Sequence, residues 1–258
     1  MIAWSCLDRF RLSKARLART GDAEALHQVR VALRQLRSAF TIFALIVADE
    51  RYEHLRGELR WLAGTMNEAR DIDVVISRID DPPASLSAAR KRAYSLATKA
   101  LASARTRHLM NLLVEWLEHG VWLEVRNPPD VTAAAFASTS LDRLRRKVKK
   151  KGRHLRALDD AELHELRIAA KKLRYATEFF AGLFPPAAAR RRQEPFAQAL
   201  RGLQDRLGEL QDLAVAPALL DRLQIPRASW PKLTGRKRLV KRADAQFDRM
   251  IETAPFWR

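Results

Sequence analysis

One pattern occurs twice in this chain, and only a helix accommodates it. His27-Gln-Val-Arg30-Val-Ala-Leu-Arg34-Gln-Leu-Arg37 returns 137 positions later as His164-Glu-Leu-Arg167-Ile-Ala-Ala-Lys171-Lys-Leu-Arg174. In each copy a histidine is followed by basic residues three, seven and ten positions on, a spacing that suits one face of an α-helix and no face of a strand. At about 100° per residue the four positions share an arc of roughly 80°, spread over about 15 Å of helix. The apolar positions Val29, Leu33, Leu36 and Phe40, like Leu166, Ala170, Leu173 and Thr177, centre roughly 120° away on the same wheel. Each helix therefore carries a core stripe beside a cationic row.

The duplication extends beyond these helices. Leu141-Asp142-Arg143-Leu144 echoes Leu7-Asp8-Arg9-Phe10 at an offset of 134, and Leu203-Gln-Asp-Arg-Leu207-Gly208-Glu-Leu-Gln211-Asp212-Leu-Ala214-Val215 echoes Leu62-Ala-Gly-Thr-Met-Asn-Glu-Ala-Arg70-Asp71-Ile-Asp73-Val74 at 141. Core positions keep step while loops drift, as expected of an internal repeat. The paired H-x-x-R-x-x-x-[RK]-x-x-R helices resemble the CHAD domain, the conserved histidine α-helical domain. The second copy, with Tyr175 and Phe179-Phe180 after it, is close to that family's wording, and the Leu62 to Val74 stretch looks like its L-x-x-x-L-G-x-x-R-D-x-D-V segment. The second such stretch is degraded, with Gln211 for Arg70 and Ala214 for Asp73, so a role for Arg70 is left open. The resemblance covers nearly the whole chain and implies a helical domain that binds inorganic polyphosphate along a basic central surface.

In chain order, helices are expected over residues 2 to 19, from Asp22 as N-cap to Val47, over 50 to 67, over 71 to 79 after a bend, and as one long helix over 86 to 118. Asn127-Pro128-Pro129-Asp130 is the strongest punctuation and sets the expected division into residues 1–127 and 128–258. The plan then begins again, and the last helix is expected from about Leu233 to Ala254. Eight helices in two sets of four predict an all-α fold of two four-helix repeats related by a pseudo-twofold axis. The resemblance implies that the axis sets the two basic helices near each other.

Forty-eight Lys and Arg against 30 Asp and Glu give a net charge of +18, which repels itself in a compact state and calls for a polyanionic partner. Cys6 is the only cysteine, so no intrachain disulfide forms. The longest uncharged apolar run, Ala39 to Ala48, is too short to span a bilayer, and the N-terminus does not read as a signal peptide. A cytoplasmic protein without membrane insertion is expected, associated with polyphosphate granules if the resemblance holds.

Guanidinium groups grip phosphate oxygens bidentately, and a row of them on a rigid helix suits a linear polyphosphate. His27, Arg30, Arg34, Arg37, His164, Arg167, Lys171 and Arg174 are the expected polyphosphate ligands. Lys14 and Lys151, which correspond at the histidine offset, join Lys172 and Tyr175 as secondary ligands. Neighbouring arginines should depress the histidine pKa, and bound phosphate should raise it. Glu68, Asp71, Asp73, Glu209 and Asp212 read as helix caps or partners of the arginine excess rather than as a metal site. Glu24 and His27 have the E-x-x-H spacing of di-iron bundles, but Ala161 stands at the matching position, so neither metal nor cofactor is expected. No P-loop, G-x-S-x-G or C-x-x-C occurs, nor the E-x-E-x-K signature of the CYTH enzymes often joined to CHAD domains, and no enzyme is expected. The rival reading is a general polyanion or nucleic-acid-binding helical protein, since counterion release serves both. Base readers interleave aromatics among their cations, and here only Tyr175 lies beside a basic face. A module docking on acidic protein or anionic lipid is a third class.

Overall fold

Asp22 illustrates how local chemistry places these helices. Its carboxylate accepts the Ala25 N–H at 2.5 Å, satisfying one of the donors that a helix start leaves open. Gly21 ahead of it takes a left-handed φ of 61°, which ends the preceding helix. The computed structural model describes residues 2–124, 132–184 and 186–258, with the side chains of all but 186–190. Helices account for every regular element among them, and the fold is all-α.

The contacts gather the chain into two compact units, Met1–Asn127 with Ala216–Lys232, and Pro128–Val215 with Leu233–Arg258. In the first, α1 (Ile2–Thr20) packs along α2 (Ala23–Val47), and α3 (Tyr52–Gly64) and α4 (Asn67–Ile76) pack on α2 as well. Between Ala25 and Phe40 no residue of α2 is fully exposed, though the cationic row is only half-buried. The loop after α2 is tied back by Tyr52, whose hydroxyl donates to the Phe40 carbonyl at 3.0 Å, and by Asp49, which accepts the Trp116 indole N–H at 2.8 Å. Asp73 is buried and accepts from Arg90 Nε at 2.7 Å and Tyr94 Oη at 2.6 Å, pinning α4 to α5 (Ala84–Ala102).

The single helix expected over 86–118 is broken. Ser103 has extended backbone, and its hydroxyl accepts the Thr106 N–H and so caps α6 (Ala104–His119). Ser competes for backbone groups in this way, while the apolar periodicity runs on through the break and conceals it.

In the second unit α7 (Ala133–Lys151) packs along α8 (Asp160–Phe180), which opens on a capping box between Asp159 and Glu162. At the end of α7, Gly152 lies under the Phe247 ring so closely that a Cβ would meet it at 2.2 Å. After α8 comes α9 (Pro186–Arg222), one helix of 37 residues, and then α10 (Arg236–Glu252), shorter at both ends than expected. The two similar segments differ in shape: Thr65-Met66 separates α3 from α4, whereas their counterparts Arg206-Leu207 lie within α9. Arg206 pairs with Glu209 one turn on, which supports continuous helix. The Asn127 to Asp130 punctuation lies outside the described residues.

Candidate functional site

The four expected ligands of α2 lie along one side of the first unit, all half-buried. Arg30 donates to Asn67 Oδ1 at 2.9 Å, which ties the row to the start of α4. Arg34 meets no carboxylate, and its Nε is buried with no acceptor among the described residues; His27 Nδ1 is in the same condition. Burial pushes the His27 pKa below the usual imidazole range, and Arg70 and then Arg34 add to the effect, against a smaller opposing pull from Glu24. At the other end, burial lowers the Arg37 pKa, with help from Arg60 and Arg56 of α3.

Arg70 is thus an additional cation of the site. It acts on His27 from α4, while at the matching place in the second unit Gln211 Oε1 lies 2.5 Å from His164 Nδ1. The degraded copy puts a neutral hydrogen-bonding partner where the first unit has a charge. The pairing of Arg30 with Asn67 has its own echo, since Arg167 Nε lies 4.0 Å from where a Cβ on Gly208, the counterpart of Asn67, would sit. Arg56 and Arg60 carry a signal of their own, one turn apart on α3, visible only once α3 is known to lie against α2.

The row on α8 is less enclosed and less positive. His164 is exposed, Arg167, Lys171 and Arg174 are half-buried, and Arg174 forms an ion pair with Glu178 at 2.9 Å while its Nε stays buried without an acceptor. Its guanidinium also lies 4.6 Å from the centroid of the Tyr175 ring, which stacks on Phe179.

The secondary ligands are placed differently from expectation. Tyr175 is fully enclosed, and its hydroxyl has no partner among the described residues. The reason is that α8, like α2 at the corresponding Ser38, is covered here on the side opposite its core stripe as well. Lys151 pairs with Glu165 at 3.3 Å, on the flank of α8 roughly 140° from the row. Lys172 lies about 120° from the row, on that same flank. Lys14 is half-buried on α1; burial in α1 and α7 keeps step at 134 through Phe10 and Leu144 but not beyond, where buried Ser13 meets exposed Lys147, so core burial does not support pairing Lys14 with Lys151. The drift to 137 falls at the end of α7 and in the connection that follows.

No group of three or more metal-binding side chains occurs among the described residues, and none of their helices is long and apolar enough to cross a membrane. The acidic residues of the segment after α3 serve the arginine excess instead, Asp73 through Arg90 and Glu68 through Arg222 at 3.5 Å.

Comparison with known proteins gives a consistent result. The family model of the CHAD domain matches residues 1–221. The crystal structure of the CHAD domain from the plant Ricinus communis superposes with a TM-score of 0.76 at 27% identity, over 97% of this chain and 84% of that one. PptA from Streptomyces chartreusis shares the fold at 20% identity, with a TM-score of 0.55 over 98% of this chain and 93% of that one. No curated protein matches the sequence.

Proposed function

Since the chain belongs to the CHAD domain family, we propose that it binds inorganic polyphosphate along the cationic rows of α2 and α8. One observation carries the reading: His27 Nδ1, Arg34 Nε and Arg174 Nε are buried nitrogens with no acceptor among the described residues. Leaving such groups unmet costs about 1–3 kcal/mol each, a cost that an incoming acceptor removes. Polyphosphate offers acceptor oxygens at every link and no base to be read, which matches rows of guanidinium groups without interleaved aromatics. The role is binding rather than catalysis, in the cytoplasm and at polyphosphate granules. A fluorescent fusion is expected to mark granules and to disperse in cells that make no polyphosphate.

The direct test is competition at fixed, near-physiological salt between labelled long-chain polyphosphate and single-stranded DNA, RNA and heparin. Polyphosphate is expected to win by orders of magnitude. Equal competition per charge by nucleic acid would make the rows a general polyanion surface and overturn the proposal.

A further inference from the structure

A second basic surface lies in the second unit, away from the row of α8. The C-terminal half of α7 and the start of α8 enclose an open groove of about 910 Å³, lined on one side by Arg143, Arg146, Lys147, Lys150, Lys151 and Arg153. Its other wall comes from Leu158, Ala161, Glu162 and Glu165. Those wall positions centre roughly 150° around α8 from His164, Arg167, Lys171 and Arg174, so the groove and the row occupy opposite flanks of one helix.

The two acids of the groove are already engaged. Glu162 accepts the Asp159 N–H in the capping box, and Glu165 pairs with Lys151. Arg143, Lys147, Lys150 and Arg153 are exposed and make no ion pair among the described residues. The rim includes His154, a non-glycine residue held in left-handed backbone at φ 60°, whereas the connection between α1 and α2 uses Gly21 at φ 61°. Strain of this kind tends to persist where function holds it. At the offset of 134, Arg143, Lys150 and Arg153 have arginine counterparts in Arg9, Arg16 and Arg19, whereas Arg146, Lys147 and Lys151 correspond to Leu12, Ser13 and Leu17. The surface therefore builds on a repeated pattern, to which the second unit adds Arg146, Lys147 and Lys151.

We infer that this groove is a second binding site for an inorganic phosphate chain, which makes the second unit bivalent toward polyphosphate. The inference rests on the function proposed above. The six lining cations fall on about 15 Å of chain, a density suited to an anion charged at every link. No Phe, Tyr or Trp lines the groove, so it offers bases nothing to stack on. The missing stacking groups favour an anion without bases over a single-stranded nucleic acid. Two such surfaces on opposite flanks of a helix let one protein bridge two chains, or two stretches of one chain, as a granule component would.

The test pairs Lys147→Glu with Lys150→Glu, both at exposed positions, and uses tripolyphosphate as the short probe and long-chain polyphosphate as the bridging probe. By calorimetry at low salt, the wild type is expected to bind one more tripolyphosphate per protein than the double variant. Light scattering with long chains is expected to fall in the variant, while long-chain binding through the rows persists. Arg34→Gln serves as the reciprocal control and keeps the groove site. A Lys147→Gln, Lys150→Gln pair with intermediate loss guards against misfolding, which circular dichroism checks. Unchanged stoichiometry in the Glu variant overturns the groove site while leaving the proposed function intact. Absence of any polyphosphate binding by the wild type overturns both. Preferential displacement of tripolyphosphate from the groove by duplex DNA at equal charge overturns the assignment to an inorganic chain.

Discussion

His27 is half-buried, and the charges of two arginines act on it from two directions, Arg70 from α4 and Arg34 from its own helix. Each influence disfavours the imidazolium, so the folded pKa lies below the unfolded value of about 6.5. The sign follows from linkage. The unfolded chain binds the proton more readily, so His27 costs the free protein no stability above about pH 6.5 and destabilises it as pH falls from there through the folded pKa. A bound phosphate chain is expected to reverse the preference, so that binding below neutrality takes up a proton. Arg70→Gln copies the second unit into the first. It is expected to raise the His27 pKa in an NMR titration and to weaken polyphosphate binding; an unmoved pKa would remove Arg70 from the site.

On the scale of elements, α2 and α8 were legible as helices because their two stripes repeat at helical spacing, and the positions of both rows follow from that spacing alone. What covers each flank did not follow. Periodicity fixes an angle around a helix axis, not the neighbour that occupies it, so neither the burial of Tyr175 nor the pairing of Lys151 with Glu165 can be read from the sequence. The break at Ser103 and the continuity of α9 turn on single side chains competing for backbone groups, which a hydrophobic pattern averages away. Arg34 gives a test suited to this scale. Among the described residues its Nε is buried without an acceptor and it meets no carboxylate, so Arg34→Met is expected to leave stability unchanged or raise it by up to about 1 kcal/mol, roughly 2–4 °C in Tm. The same change should weaken polyphosphate binding. A large drop in Tm would assign the residue a structural role instead.

For the whole molecule the net charge of +18 sets the terms of binding. If about six phosphates are engaged, the slope of log affinity against log salt should be about −4 to −5, a loss of several hundred-fold between about 50 and 200 mM. Affinity measured across that range checks it, and a flat response would refute an electrostatic grip. Sequence alone determined the helical class, the family and the two cationic rows, because helical spacing and charge are local properties of the chain. Tertiary structure decided which cations are stripped of water and left without acceptors, that Arg70 joins His27, and that a second basic groove opens behind α8. Desolvation and charge coupling depend on what packs against a side chain, and packing joins residues that the sequence holds far apart.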